Sequence, residues 1–438
     1  MHRSAGDRSE RRPLPQGFFT IWSTVAIDLI GFGIVLPILP QYAERFGASP
    51  TVTGLLVASF SVAQLVFAPI WGRLSDRIGR RPILVVSLFG TAVGSLLTGL
   101  AGGIFLLFLG RILDGASGAS VSVAQAAAND LAPPRDRARL MGLLGAAFGV
   151  GFVMGPALGA LGSSFGPQVP FYLAAGIAFV NAVIALVRLP ETRRAEPATV
   201  HGSDRAEADG ALLAGIAEID GPGLVEPAHL GAPGGAVPHG GPSADVAGDG
   251  GLAVAPAVDT RAAIIRLITV SFVGMIAFSG FEATFALLGD RRLGLDQRST
   301  GIVFAAIGLG LVAVQGGLVG RVVGSLHERR TMRLALVCNA AGLLLLAIDA
   351  RWLTIGPALL LLIVGQGLLT PTMSSSVAGL AGRAAGRWLG WQQSAGGMAR
   401  VIGPTAAGIL FEHVGIGAPY VVGMVLVLLA LSLVPTSI

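Results

Sequence analysis

The sequence predicts an all-α membrane protein with twelve transmembrane helices, arranged as two halves of six, and with both termini in the cytoplasm. Three observations lead to this prediction. The chain of 438 residues is 53% hydrophobic and only 13% charged, which leaves too little polar surface for a soluble domain. Apolar stretches of about 20 residues, the length that spans a bilayer, recur along the chain. The loops between these stretches are alternately rich and poor in arginine.

Apolar length places the first six helices near 17–39, 52–72, 82–101, 104–128, 138–162 and 168–189, and the second six near 263–288, 299–320, 332–349, 353–380, 387–411 and 414–435. Residues 190–262 are rich in Gly, Ala and Pro and have too few bulky apolar residues to form a core. They are predicted to be a disordered cytoplasmic linker, with a small ligand-binding module as the alternative. The predicted domains are a cytoplasmic tail 1–16, a six-helix bundle 17–189, the linker 190–262 and a second bundle 263–438.

Arginine density sets the predicted orientation, because arginine-rich loops stay on the cytoplasmic side of a membrane. One set of loops, with the N-terminal tail, holds Arg3, Arg8, Arg11, Arg12, Arg73, Arg77, Arg80, Arg81, Arg135, Arg137, Arg139, Arg321, Arg329, Arg330, Arg333, Arg383 and Arg387. The opposite set holds Arg45, Arg291, Arg292, Arg298 and Arg351. Both termini are therefore predicted to be cytoplasmic, and membrane topology explains the pI near 10.4 without a nucleic-acid partner.

The run from Gly72 to Pro82 is the densest of these loops, and its two glycines predict a tight cytoplasmic turn. Parts of the chain also repeat. Gly72-Arg73 and Gly155-Pro156 recur 248 positions later as Gly320-Arg321 and Gly403-Pro404. Such a parallel repeat predicts a substrate site between the two halves, near the middle of the membrane.

Charged residues lie deep in two predicted helices of the first half: Asp28 in helix 1, and Arg111 with Asp114 in helix 4. A charge inside a membrane is costly and usually faces a cavity or a partner, and a desolvated carboxyl exchanges a proton near neutral pH. All three residues are candidates for proton coupling, the two carboxyls as groups that exchange a proton and Arg111 as the fixed cation of the site, since arginine keeps its charge. Two alternatives stay open. The first is that Asp28 is permanently paired or reaches water. The second is that Asp114 is only a structural partner of Arg111, at i,i+3 spacing.

Glu282 in helix 7 is the fourth proton-coupling candidate, and it is flanked by Phe278, Phe281 and Phe285. A carboxylate among aromatic rings suits a cationic or amphiphilic substrate. The alternative is that these rings belong to the core. Neutral candidates for the cavity wall are Gln315, Gln366, Gln392 and Gln393.

Helix 5 carries small residues at regular spacing: Gly142, Gly151, Gly155, Pro156 and Gly159. Glycines four residues apart give a smooth face for another helix, and the proline bends it. Helix packing alone explains such a face, which also suits a contact that slides during transport.

These motifs together resemble the drug:proton antiporter branch of the major facilitator superfamily, especially its tetracycline and multidrug efflux pumps. The helix 1 pattern D-x-x-G-x-G-x-x-x-P-x-x-P runs from Asp28 to Pro40, and the loop pattern G-x-x-x-D-R-x-G-R-R runs from Gly72 to Arg81. The helix 5 pattern G-x8-G-x3-G-P-x2-G-G begins at Gly142 and departs only at Ala160. The resemblance covers nearly the whole chain outside the linker, and in the family the helix 5 pattern marks antiporters rather than symporters.

The resemblance implies roles for these residues. Arg111 would assist proton transfer, and Asp28 would take part in proton or substrate coupling. Asp114 stands where the family often has glutamine or a small residue, and it would either change the coupling or neutralise Arg111. A cytoplasmic charge lock that stabilises one alternating state would consist of Gly72, Asp76, Arg77, Gly79, Arg80 and Arg81.

The sequence therefore predicts a monomeric antiporter of the inner (plasma) membrane that exports a small amphiphilic compound in exchange for protons. Its partners are the compound, protons and the lipid bilayer. The proton gradient supplies the energy, and no cofactor or metal is expected. ATP is not expected as the energy source, because a chain without lysine has no G-x-x-x-x-G-K-[ST] phosphate loop. The helices show no nucleophile with a nearby base, which disfavours an enzyme. The alternatives are a metabolite or sugar carrier of the same fold, such as a symporter, and a membrane sensor or scaffold that does not transport.

Overall fold

The structure is a computed structural model, and it describes residues 14–118, 120–131, 137–192, 260–348 and 351–435. Most of the predicted tail 1–16 and nearly all of the predicted linker 190–262 lie outside the described residues. The division of the chain into these domains stays a prediction.

The first half consists of eight helices: α1 Phe18–Val35, α2 Leu39–Glu44, α3 Pro50–Ile78, α4 Arg80–Gly99, α5 Ile104–Ser117, α6 Ser120–Leu131, α7 Arg137–Ser163 and α8 Val169–Arg188. The second half consists of six: α9 Thr260–Leu293, α10 Gln297–Ala313, α11 Val319–Ile348, α12 Trp352–Ala381, α13 Ala385–His413 and α14 Ala418–Leu433. A π-helical turn, Val314–Leu318, joins α10 to α11, and a 3-10 turn, Gly382–Ala384, joins α12 to α13.

The described helices form twelve spans, six in each half, as the sequence predicts. α5 and α6 together make one span. α10 continues through the π-helical turn into α11, which breaks at His327 (φ 64°) and then supplies the next span. Within the described residues, nine segments are long and apolar enough to cross a membrane, and one of them, Gln297–Ile348, holds two spans. α13 and the shorter α14 complete the set.

The arginine-rich run differs from its prediction as a tight turn. α3 continues through Gly72 to Ile78, and Gly79 alone lies between α3 and α4. Its φ of 111° is a conformation that glycine adopts at low cost. Gly79 therefore makes the reversal, whereas Gly72 is an ordinary helical residue. The arginines of this run lie in the last turns of α3 and in the first turn of α4.

The same helix contacts recur in the two halves. α1 packs along α7 as α9 packs along α13, and α4 packs against α8 as α11 packs against α14. Each half also has its own buried apolar cluster, which includes Leu29 and Leu88 in the first half and Phe285 and Leu336 in the second. This recurrence fits the parallel repeat that the sequence predicts.

The two halves meet along two helix pairs, α3 with α13 and α7 with α10. Both pairs cross at glycine. A Cβ atom at Gly54 would lie 2.3 Å from the carbonyl oxygen of Pro404, and one at Gly308 would lie 2.1 Å from that of Phe152. Since only a residue without Cβ permits this approach, glycine is required at both crossings. The end of the molecule with these crossings, α2 and the α9–α10 connection is called the closed end.

Towards the opposite end, which carries Gly79 and His327, the halves separate. Several glycines near this end have open space around the position of a Cβ atom. No neighbouring atom lies within 4 Å at Gly142 and Gly145 on α7, at Gly316 in the π-helical turn, at Gly320 on α11 and at Gly386 on α13. This end is called the open end, and the space between the halves is a cleft that widens towards it.

The glycine crossing predicts the effect of Gly54→Ala. The new methyl group would meet the Pro404 carbonyl oxygen, so α3 and α13 have to separate and the closed end should open. Spin labels at Arg45→Cys and Arg298→Cys, both exposed at the closed end, in a Cys338→Ala background, would report this by double electron–electron resonance. We expect a longer and broader distance distribution.

Gly72→Ala is the matched control, because Gly72 lies on the same helix with no atom within 4 Å of a Cβ atom. It should leave the distribution unchanged. If Gly54→Ala gave the wild-type distribution as well, closure would not depend on this glycine.

Candidate functional site

Asp28 lies well inside α1. The hydroxyl of Ser120, the first residue of α6, donates a hydrogen bond to Asp28 Oδ2 over 2.5 Å. Asp28 Oδ1 is buried and has no hydrogen-bond partner among the described residues. Burial of a charged oxygen without a partner is costly, and a proton removes that cost. Oδ1 is therefore the atom of this site that is suited to bind a proton.

Arg111 and Asp114 form a buried ion pair on α5. Arg111 Nη1 lies 2.8 Å from Asp114 Oδ2, and the side chains are 2% and 9% exposed. The Phe60 ring of α3 covers the guanidinium, whose carbon lies 4.5 Å from the ring centroid. The i,i+3 pairing considered from the sequence is thus present, and Arg111 has a charge partner other than Asp28.

Three glycines of the predicted helix 5 pattern lie on the face of α7 that contacts α1. A Cβ atom at Gly151 would lie 2.6 Å from the Leu29 side chain, and one at Gly155 would lie 2.5 Å from the Cα atom of Gly33. Gly159 approaches α1 in the same way, 3.0 Å from a carbonyl oxygen. These glycines bring the helix that carries Asp28 into close contact with α7.

The other two residues of the pattern lie elsewhere. The Pro156 carbonyl oxygen faces α10, where a Cβ atom at Gly301 would lie 3.0 Å from it. Pro156 therefore belongs to the crossing between the halves. Gly142 has open space around it, so no contact in this conformation requires glycine there.

Arg80 is the centre of an ion network at the open end. Its guanidinium lies 2.5 Å from Asp76 Oδ1 and 3.0 Å from Asp130 Oδ2, and Nη1 also donates to the Ser75 hydroxyl over 2.7 Å. All four residues belong to the first half. Two residues of the predicted charge lock, Asp76 and Arg80, therefore pair with each other while the open end is apart.

The α4 end of this network has an acidic cap. Glu191 accepts hydrogen bonds from the backbone N–H groups of Arg80 and Arg81, over 2.9 and 3.2 Å, and Arg81 Nη2 donates to the Leu186 carbonyl oxygen. The Arg77 side chain is exposed. The sequence motif does not predict Glu191 or Asp130, because both are far along the chain and only the fold brings them to the loop.

The apex of the cleft lies beside the glycine crossings of the closed end. Its free volume of ≈ 10 Å³ leaves room for about one water molecule. Among the lining residues, Glu282 alone is charged. The first half contributes Gly33, Leu36, Pro37, Phe152 and Pro156, and the second half contributes Phe278, Phe281, Glu282, Phe304, Ile307, Gly308 and Leu311.

The phenylalanines of α9 divide between the cleft and the core. Phe278 and Phe281 line the cleft, with ring centroids 5.8 Å apart. Phe281 is only 2% exposed and belongs to the buried core of the second half as well. Phe285 is 0% exposed, and its ring centroid lies 5.6 Å from that of Phe304. Phe285 is therefore a core residue and not part of the cleft wall, because its position on α9 directs it into the second half.

The four candidate glutamines lie in different surroundings. Gln392 donates to the hydroxyls of Ser271 on α9 and Ser374 on α12, over 3.3 and 3.5 Å, and so links three helices of the second half. Gln366 is buried and donates to Thr370, one turn along the same helix. The remaining two, Gln315 and Gln393, are exposed.

Polar contacts across the halves at the closed end were not predicted from the sequence. The Gln41 side-chain amide donates to the Leu295 carbonyl oxygen over 2.7 Å, and Arg291 Nη2 lies 3.3 Å from Glu44 Oε1. The Thr51 backbone N–H also donates to the Glu412 carboxylate over 2.9 Å. We call these three contacts the closed-end latch. No local pattern reports them, because each joins residues of different halves.

A polar vestibule of ≈ 340 Å³ adjoins the latch and includes Gln41, Glu44, Asp290 and Arg298. Burial raises the pKa of the Glu44 carboxyl above its ordinary value of 4.5, and it outweighs the attraction of Arg291. Asp290 adds to the rise by repulsion. The closed end thus contains a half-buried acid whose charge is only partly balanced.

Comparison with known proteins supports a transporter fold along both halves. The family model described as Major Facilitator Superfamily matches residues 21–348. The tetracycline resistance protein, class E, of Escherichia coli is 28% identical over 392 residues, which cover 89% of this chain and 86% of that protein. Multidrug resistance protein 2 of Bacillus subtilis (strain 168) is 24% identical over 396 residues, which cover 90% of this chain and 88% of that protein.

A solved structure agrees with this similarity. The human organic anion transporter MFSD10 (TETRAN) is 25% identical to this chain, with a TM-score of 0.65. The match covers 96% of this chain and 99% of the human one.

The surroundings of Glu44 predict that closure depends on pH. Its carboxyl is half-buried when the end is closed and meets water when the halves separate, so its pKa is higher in the closed conformation. The closed conformation therefore binds the proton more tightly, and it is favoured as the pH falls through this pKa. Spin labels at positions 45 and 298 should show the short-distance population growing as the pH falls from neutral towards 4.5.

Glu44→Gln is the isosteric control and should remove the part of the pH dependence that Glu44 contributes. A dependence equal to that of the wild type would exclude Glu44 as a titrating group.

Proposed function

This chain belongs to the major facilitator superfamily and is a membrane transporter, not an enzyme, and we propose that it is a proton-coupled antiporter. It exports small amphiphilic compounds, of the tetracycline or multidrug kind, by alternating access of the two halves. It acts in the inner (plasma) membrane with both termini in the cytoplasm. The names of two relatives, a tetracycline resistance protein and a multidrug resistance protein, agree with this class of compound.

The surroundings of the Asp28 carboxyl are the observation that supports the proposal most directly. It is an ionisable group inside a span, and one of its oxygens is buried without a partner among the described residues. The neighbouring cation, Arg111, is neutralised by Asp114. Asp28 is thus the carboxyl of the first half that has most to gain from a proton, and we assign it the coupling proton.

The cleft supports an amphiphilic substrate. Its apex has an aromatic and aliphatic wall with one carboxylate, Glu282. Apolar surface binds the greasy part of a compound, and the carboxylate attracts a positive group over the rings of Phe278 and Phe281. Arg400 interacts electrostatically with Glu282, so the charge of Glu282 is partly offset before substrate binds.

The open end faces the cytoplasm in this proposal, since it carries the dense arginine loops around Gly79 and His327. A compound enters the cleft from the cytoplasm, and the closed-end latch keeps it from the outside. Export requires the latch to separate and the open end to close. Asp76 and Arg80, which pair within the first half in this conformation, are placed at the end that has to close.

Proton binding drives the cycle by shifting the equilibrium between the conformation open to the outside and the one open to the cytoplasm. A ligand shifts such an equilibrium only by the difference between its affinities for the two conformations. Asp28 binds a proton when the site opens to the outside and releases it when the site opens to the cytoplasm. The substrate moves in the opposite direction, through the same change of conformation.

Asp28→Asn should abolish proton flux triggered by substrate, because an amide cannot bind and release the proton. The measurement uses proteoliposomes that hold a pH gradient, with a panel of amphiphilic antibiotics and dyes added to each variant. We expect flux at the level of empty vesicles, whereas exchange of labelled for unlabelled compound should continue. Exchange needs alternation of the halves but no net movement of protons.

Asp249→Asn, in the predicted linker, is the control and should retain wild-type flux. Flux that survives Asp28→Asn would assign the coupling proton to another residue. If folded wild-type protein gave no flux with any compound, a metabolite carrier or a protein that does not transport would replace the antiporter.

Glu282→Gln should weaken the binding of a cationic compound more than the binding of a neutral one. A hydrogen bond or contact to a charged group contributes about 1.5 to 3 kcal/mol, so affinity for a permanently cationic amphiphile should fall roughly 10- to 100-fold. An uncharged compound of similar size should lose much less affinity. Calorimetric titration of the purified protein with the two compounds gives both values.

The uncharged compound is the internal control, because it contacts the same rings. Equal losses for the two compounds would show that Glu282 does not recognise substrate charge.

A further inference from the structure

The span formed by α5 and α6 is broken beside Asp28. α5 ends at Ser117, Gly118 departs from helical geometry at φ −71° and ψ 38°, and the next described helical residue is Ser120. A break inside a bilayer releases backbone carbonyl oxygens from the helical pattern. Each released oxygen is costly unless a protein group satisfies it.

Side chains of α3 and α4 satisfy the oxygens released at this break. Three consecutive residues each receive a separate donor. The pairs are Trp71 Nε1 with the Ala116 oxygen at 2.6 Å, Gln64 Nε2 with the Gly118 oxygen at 3.1 Å, and Ser87 Oγ with the Ser117 oxygen. With a dedicated donor at each position, the break is a built feature of the fold rather than a local irregularity.

The break lies next to the residue that contacts Asp28. The Ala116 oxygen, which the N–H of residue 120 would reach in a continuous helix, accepts a hydrogen bond from Trp71 Nε1. Ser120 is the first described residue of α6. Its hydroxyl donates directly to Asp28 Oδ2.

We propose that Ser120 is a positioning residue for proton exchange, and that the break serves to place the Ser120 hydroxyl against the Asp28 carboxylate. This inference rests on the proposed antiporter function. Ser120 holds Oδ2 and stabilises the charged form, while Oδ1 receives the proton. In the conformation that is open to the cytoplasm, this arrangement favours release of the proton to that side.

Few other ionisable groups face Asp28. Asp114 interacts with it electrostatically but is already paired with Arg111. The helices α7 and α8, which pack on α1, carry no charged residue in the described stretches 140–163 and 169–187. On α6, Asp130 is paired with Arg80 at the open end. Ser120 is thus the neutral residue that donates a hydrogen bond directly to the Asp28 carboxylate.

The test is an infrared titration of the purified full-length protein. The C=O stretch of the protonated Asp28 carboxyl is assigned by its loss in Asp28→Asn, and its intensity is followed against pH. Ser120→Ala should raise the pH of half-protonation by about 1 to 2 units, the size of a hydrogen bond to a charged group. The pH profile of substrate-triggered proton flux should move in the same direction.

Two variants bracket this result. Ser120→Thr keeps the hydroxyl and should remain near wild type. Ser163→Ala removes a hydroxyl that bonds to the Gly159 oxygen within α7, and it should not change the titration. If Ser120→Ala does not fold, Trp71→Phe, which removes the donor to the Ala116 oxygen, should shift the titration upwards as well.

The outcomes separate this proposal from the proposed function. An unchanged midpoint in folded Ser120→Ala and Trp71→Phe, with normal flux in the wild type, would overturn the role of Ser120 and leave the antiporter intact. A shifted midpoint with no flux in the wild type would support the positioning role and overturn only the antiporter.

Discussion

A bilayer offers no water to its interior, so every polar group inside a span has to find its partner in the protein. Arg111 finds both a carboxylate and an aromatic ring, in Asp114 and Phe60. The carbonyl oxygens at the break after α5 find side-chain donors from α3 and α4. Several buried polar atoms of the described residues lack a partner, among them Arg111 Nε, but Asp28 Oδ1 is the one carboxylate oxygen in that set. Because the charges around it are already balanced, a proton is the simplest partner that it can acquire.

The same lack of water removes most of the hydrophobic force between helices, so close packing has to hold them together. Within the first half, the α1–α7 contact uses successive glycines, including Gly151 and Gly155. Between the halves, glycines such as Gly54 permit an equally close approach, and polar pairs join the halves at the membrane edge. Water competes for such pairs when the halves part. These polar pairs are therefore the contacts between the halves that water can replace.

Lipid imposes one length on every span, and therefore apolar length alone predicts the spans to within a few residues. The predicted helix bounds are wrong where lipid does not constrain the length or continuity of a helix. α3 runs past the membrane to Ile78, and the break at Gly118 lies in a stretch of small residues that reads as continuous helix. Charges such as Asp28 and Glu282 are visible in the sequence because charge is rare inside spans. Their surroundings depend on helix rotation and on remote contacts, which periodicity in an apolar segment does not determine. For that reason Ser120 and Gln41 escape prediction.

The two halves repeat their helix contacts but not their charges. Arg80 corresponds to Glu328, 248 positions later, yet Arg80 pairs with carboxylates whereas Glu328 accepts hydrogen bonds from serine hydroxyls. Asp28 likewise belongs to the first half and Glu282 to the second. In the proposed cycle, a proton and a cationic compound therefore do not compete for one carboxylate. Their exchange has to be coupled through the equilibrium between the conformations, because each ligand shifts that equilibrium by its own difference in affinity.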